Sequence, residues 1–195
     1  MIKKAAAAAL GVLTALSLAG CSKMPEIRLP FSGDPTPDYE SGTTEEEFQG
    51  ITYQVPSSWQ RQEAEDGNTV YYYPDSGEEY SVSIILQYST MDEELWEDGE
   101  TALLHSLASD YESLEGVSDF EQKDASLGDI PVVKITCVHA AGGDGPESYD
   151  GRYVLIPVNR KAVLTVASAV PEDADNSYRR DFEHIWESIE IPEAE

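Results

Sequence analysis

The sequence predicts an α+β fold: an antiparallel β-sheet of about six to seven strands with helices packed on it. Three observations carry this. Tyr149 to Val158 and Ala162 to Val170 are dense in apolar residues and joined by the tight turn Asn159-Arg160-Lys161. Such a pair reads as an antiparallel hairpin at the centre of a sheet. Tyr178, Phe182, Ile185, Trp186 and Ile189 fall at i, i+4, i+7, i+8 and i+11. That spacing gives a helix over about 176–189 one apolar face, made to lie on a sheet. The third observation is the order of elements: three strands, a helix, four strands and a closing helix, with short turns between neighbouring strands.

Along the chain, Ile51-Thr52-Tyr53-Gln54-Val55 alternates and stops at Pro56, which has no N–H to continue a central strand. Trp59 follows a turn. Asp66-Gly67-Asn68 turns the chain into Thr69 to Tyr73, which ends at Pro74. Asp75-Ser76-Gly77 leads into a strand from Tyr80 to Tyr88, with Val82, Ile84 and Leu86 on one face and Ser81, Ser83 and Gln87 on the other. Ile85 breaks that alternation, which predicts at least partial cover on both faces. Thr90-Met91-Asp92-Glu93 fits a capping box with Thr90 as N-cap. The helix it opens runs to about Leu114, buries Leu103, Leu107, Tyr111 and Leu114, and stops at Gly116. Gly99 costs about 1 kcal/mol against alanine within a helix and marks a place for a kink or break. Phe120 to Ser126 is a polar strand, turned by Leu127-Gly128-Asp129 into Ile130 to His139. Gly142 to Pro146 is a loop.

The chain divides into residues 1–20, residues 21–47 and a domain over 48–192. Lys3 and Lys4 precede an apolar run from Ala5 to Leu16, too short to span a bilayer as a helix. The run ends in Leu18-Ala19-Gly20-Cys21. This resembles a bacterial lipoprotein signal, in which the cysteine thiol forms a thioether to diacylglycerol before cleavage. Cys21 is then the lipid attachment site, and Leu18, Ala19, Gly20 and Cys21 are the lipobox. An uncleaved anchor or an ordinary signal peptide is the alternative. Two or more acyl chains hold a protein stably on a membrane. The segment from Cys21 to Glu47 carries Pro25, Pro30, Pro35 and Pro37, Gly33 and Gly42, and Glu45-Glu46-Glu47. It reads as a tether, of reach about 80 Å in polyproline form.

The formal net charge is −26, and loss of Lys3 and Lys4 with the signal leaves −28. Nucleic acid is thereby excluded as a partner, because phosphate binding needs a positive footprint. Charge of this size favours solubility. With Cys21 taken by lipid, Cys137 has no partner for a disulfide within the chain. The fold must stand on its apolar core.

Three segments carry a further likeness: Ile51-Thr52-Tyr53-Gln54-Val55-Pro56 with Trp59, Leu127-Gly128-Asp129-Ile130-Pro131, and Phe182 and Ile185 with Ser188-Ile189. With the order of strands and helices, residues 48–191 resemble the PsbP/Mog1-like fold family. The resemblance implies an α/β/α sandwich. That family holds photosystem extrinsic subunits, a nuclear-transport factor and envelope lipoproteins. Its members are generally non-enzymatic and several act by binding proteins. Fold alone does not fix function.

Motifs for chemistry are sparse. No nucleophile elbow, Ser-x-x-Lys, His-Glu-x-x-His, phosphate loop or dinucleotide fingerprint occurs. Zinc would want several Cys or His at short spacing, and the sequence has three histidines and two cysteines. His105 and His184 fall off the apolar helix stripes and are expected at exposed positions. Cys137 and His139 share a strand face with Val133 and Ile135. A nucleophilic pair must lie within hydrogen-bond reach, which neighbours on one strand face rarely do, so a small buried thiol is expected. Asp144, Glu147 and Asp150, in and beside the glycine-rich loop, are weak candidates for calcium. Tyr71, Tyr72 and Tyr73 are consecutive, with Tyr72 facing opposite to the others; core packing is expected, with a protein interface as the alternative.

These readings point to a non-enzymatic domain with no cofactor, lipid-anchored at the cell membrane and facing outside the cytoplasm. It is expected to bind or scaffold another envelope protein or a cell-wall component. The alternative is an accessory protein, for example to a transporter, that binds a small molecule or an ion such as calcium.

Overall fold

The structure is a computed structural model that describes residues 42–74, 82–140, 148–171, 174 and 176–192. The lipobox, Cys21, the tether before Gly42, Tyr80 and Ser81, the turn at 75–77 and the loop with Asp144 and Glu147 lie outside the described residues. Five strands come first: β1 (Thr43–Phe48), β2 (Ile51–Pro56), β3 (Trp59–Glu63), β4 (Thr69–Pro74) and β5 (Ser83–Thr90). A 3₁₀ turn (Glu93–Trp96) and helix α1 (Glu100–Glu112) follow. Then come β6 (Val117–Leu127), β7 (Ile130–Ala140), β8 (Ser148–Val158), β9 (Ala162–Pro171) and helix α2 (Ser177–Glu187).

Strands β3 to β9 form one sheet in the order β3-β4-β5-β9-β8-β7-β6, and every neighbouring pair is antiparallel. The expected central hairpin is there: β9 is the middle strand and pairs with β8 from Val158–Ala162 to Tyr149–Pro171. Its turn holds Asn159 and Arg160 at φ 50° and 53°, the left-handed values of a type I′ turn. The two faces of the sheet carry two cores. Val82, Ile84, Leu86, Val154, Ile156, Leu164 and Val166 pack with Tyr178, Phe182, Ile185 and Trp186 of α2 and with the β1–β2 hairpin. Ile85, Val133, Ile135, Leu155 and Val163 pack on the other side with Leu103, Leu104, Leu107 and Tyr111 of α1. Ile85 thus does mark cover on both faces.

Several boundaries differ from the sequence reading. Residues 43–47, read there as the end of the tether, form β1, which pairs antiparallel with β2. Phe48 and Ile51 are buried at the hairpin's turn, and Arg61 reaches across from β3 to Glu46 Oε2 and the Glu47 carbonyl, each at 3.3 Å. Trp59 opens a strand of its own, so five strands precede the first helix instead of three. The capping box is not used. Thr90 is the last residue of β5, paired with Ala162. Asp92 makes no side-chain cap, and α1 starts after Gly99 at φ 95°. The break foreseen at Gly99 separates the 3₁₀ turn from α1.

Buried polar contacts knit the α2 side. Trp59 Nε1 donates to Asp181 Oδ2 at 3.0 Å, and Asp181 is wholly buried. Tyr53 and Tyr72 share a hydroxyl hydrogen bond of 2.8 Å between the hairpin and the sheet. The chain's last described segment closes on β2, with backbone hydrogen bonds between Thr52 and Glu190 in both directions.

Candidate functional site

Two groups of polar side chains sit on opposite faces of β7 and β8. The first lies under α1. Cys137 and His139 point to this face by the alternation of β7, and Gly151 lies directly across from Cys137 on β8. With no side chain there, the imidazole leans over the glycine. His139 Nε2 comes within 3.4 Å of Cys137 Sγ and 2.6 Å of the Tyr153 hydroxyl. A Cβ built on Gly151 would stand 2.6 Å from His139 Cδ2, 2.9 Å from Nε2 and 3.3 Å from Cys137 Sγ. The Tyr111 ring of α1 closes the group, its centroid 4.7 Å from that of Tyr153.

The contact between Cys137 and His139 corrects the expectation that strand neighbours stay apart. The chemistry is still that of a buried thiol. Burial pushes the Cys137 thiol up to about 12, with the Asp150 charge adding to it. Burial also lowers His139 below its ordinary value and raises Tyr111 and Tyr153. Each of these shifts favours the neutral form of its group. A nucleophilic cysteine needs the reverse, a thiolate held by a cation. The geometry makes a hydrogen-bonded network of Cys137, His139 and Tyr153.

The second group lies on the α2 side. Asp150, the one calcium candidate among the described residues, turns to this face. Its Oδ2 accepts from Arg179 Nε at 2.5 Å and Arg152 Nη2 at 3.3 Å. Glu183 of α2 receives Lys134 Nζ at 2.8 Å, Trp186 Nε1 at 2.7 Å and Arg152 Nη1 at 3.5 Å. Burial alone would raise the Glu183 carboxyl. The hydrogen bonds from Lys134 and Trp186, with the charges of Lys134 and Arg152, outweigh it and hold the carboxyl down. Lys134 Nζ also stands 4.7 Å over the Trp186 ring. The ladder ties α2 to β7 and β8 and commits its charges to one another.

The remaining candidates are dispersed. His105, with its side chain 43% exposed, joins α1 to β6 through Asp124 Oδ1 at 2.6 Å, in keeping with the exposed position expected, whereas His184 is half-buried on α2. Tyr72 is in the core, while Tyr71 and Tyr73 stack half-exposed on the opposite face with centroids 6.3 Å apart. Among the described residues no three His, Cys, Asp or Glu are grouped to hold a metal ion. The sequence pattern gives Gly151 and Tyr153 no motif of their own. The available signal was an isolated glycine inside an apolar strand, which marks close approach of another group.

The sequence matches no family model and no curated protein. Solved structures do resemble it. The Ran-binding protein Mog1p of Saccharomyces cerevisiae superposes with a TM-score of 0.51 at 16% identity, over 77% of this chain and 96% of that one. Cyanobacterial PsbP from Synechocystis gives 0.53 at 9% identity, over 89% and 99%. The fold is Mog1/PsbP-like. LpqN of Mycobacterium tuberculosis, involved in cell envelope biogenesis, shares this Mog1/PsbP-like fold, with 0.51 at 14% identity over 76% and 89%. At such identities the likeness is one of fold, and it agrees with the fold expected from the three sequence segments.

Proposed function

We propose that this chain is a lipid-anchored domain displayed outside the cytoplasm, where it binds or scaffolds another envelope protein or a cell-wall component without catalysing a reaction. The observation that carries this reading is Leu18-Ala19-Gly20-Cys21 behind two lysines and a short apolar run. A fold shared with LpqN, a protein of cell envelope biogenesis, supports it. So does the burial that favours the neutral thiol and imidazole of Cys137 and His139. The anchor in this reading is the lipid on Cys21, and among the described residues no helix is long and apolar enough to cross a membrane.

Mass spectrometry of the native product tests the anchor. The expected species begins at Cys21 and carries diacylglycerol. An unmodified Cys21 still joined to Met1–Gly20, in cells able to process lipoproteins, would overturn it. Cross-linking in whole cells followed by affinity capture tests the binding role. One specific envelope partner is expected; repeated capture of nothing by the folded, anchored protein would refute that role.

A further inference from the structure

The donors gathered over Gly151 suit a ligand that a larger residue there would displace. A sulfur, an imidazole nitrogen and a phenol oxygen converge in one small volume beneath α1. We propose that Cys137 and His139, with Tyr153 as a weak third donor, bind one soft monovalent metal ion of the copper(I) or silver(I) class.

Distance, softness and charge each support this. Bonds of the length zinc makes, about 2.3 Å to sulfur and about 2.0 Å to nitrogen, which copper(I) approaches and silver(I) slightly exceeds, bridge the 3.4 Å between Cys137 Sγ and His139 Nε2 with an angle at the ion of roughly 105° or somewhat less. Thiolate is the ligand that selects soft ions, and imidazole accompanies it readily. Charge decides between valences. One thiolate and one monovalent cation make a neutral unit, which a buried site accepts, whereas a divalent ion would leave a net charge away from water. Zinc also asks for four ligands, whereas a soft monovalent ion held at this bent angle takes three, the Tyr153 oxygen being the third. Cys137 is 3% exposed, but His139 is only half-buried and stands one residue from the exposed end of β7. The ion reaches sulfur along the imidazole edge.

The step is a simple exchange. The Cys137 S–H bond breaks, a sulfur–metal bond forms and the proton leaves to water. His139 Nε2 donates its lone pair with its own proton on Nδ1. The ion enters and stays monovalent, so no electron is transferred.

Thermal unfolding with silver(I) nitrate in chloride-free buffer tests the site. The protein is the full chain carrying Cys21→Ser, so that Cys137 is its one thiol. An ion bound to the native state raises the midpoint by mass action, by about 5–10 °C once free ion exceeds Kd about a hundredfold. An inert thiol is met only after unfolding, and the ion then lowers the midpoint. The expected result is a rise that saturates at one ion per chain, is absent in Cys137→Ser, and is lost in His139→Gln. The glutamine keeps the thiol and an acceptor for the Tyr153 hydroxyl. A fall in the midpoint, no shift, or an equal rise in either variant would overturn the proposal.

Discussion

Replacing Gly151 by alanine tests the packing of the Cys137 network with a sign as well as a size. Glycine within a strand costs about 0.5–1 kcal/mol relative to alanine, so at an open position Gly151→Ala would stabilise. Here the new methyl meets His139 Cδ2 at 2.6 Å and Nε2 at 2.9 Å. If the ring stays, the overpacking costs about 1–3 kcal/mol. If it swings away, the Tyr153 hydroxyl, on a residue 1% exposed, loses its 2.6 Å partner, and a buried hydroxyl without a partner costs about 1–3 kcal/mol. Either route outweighs the gain, for a net loss of about 1–2 kcal/mol. Urea unfolding followed by tryptophan fluorescence reads it as a midpoint lower by about 0.5–1 M at unchanged slope. The same substitution made in His139→Ala is freed of both imidazole clashes, leaving Cys137 Sγ at 3.3 Å as the next contact, and is expected to be neutral or to stabilise by up to about 1 kcal/mol. The cycle therefore gives a coupling of about 2 kcal/mol. A midpoint that holds or rises in Gly151→Ala alone, or an equal loss in both backgrounds, would refute the reasoning.

Burial holds His139 below its ordinary 6.5, so the unfolded chain takes a proton that the folded one refuses. Stability is then complete above about pH 6.5 and declines as pH falls below it; urea midpoints across pH should show this slope, and His139→Gln should flatten it. Glu183 is held below its ordinary 4.5, so its contribution is present above that value and is lost as pH falls through its lowered folded value. Lys134→Ala should raise the pH of acid unfolding followed by circular dichroism. Trp59→Phe removes the donor to buried Asp181 and should cost about 2–3 kcal/mol in urea unfolding. Cys137, with its thiol pushed up to about 12, should resist iodoacetamide in the native protein and react on unfolding, as counted by mass spectrometry.

What the residues disclosed in advance follows from how much each element buries. The β8–β9 hairpin and α2 are legible because nearly every apolar position in them faces a core, so local pattern and tertiary role agree. β1 is the opposite case. Thr43 to Glu47 is mostly exposed, and the segment is a strand because Phe48 and Ile51 anchor its turn and Arg61 holds its acids. β3 buries only Trp59 of its five residues, so no alternation announced it. The capping box failed through competition: Thr90 is claimed by the ladder with Ala162, and a local motif carries no record of that partner. In the Cys137 group, the shared face of Cys137 and His139 followed from the strand's period of two. Their contact did not, because it depends on Gly151, a residue on the next strand whose importance lies in a missing side chain.

The pairing of β1 has a mechanical consequence. Thr43 lies opposite Pro56, so a pull on the chain ahead of Thr43 reaches the ladder at its open end and loads one backbone hydrogen bond at a time. The two-stranded ribbon opens from Thr43 toward Phe48, and the load first reaches the main sheet where Arg61 of β3 holds Glu46 and Glu47. Under such a pull the six mostly exposed residues of β1 would yield before the seven-stranded sheet does.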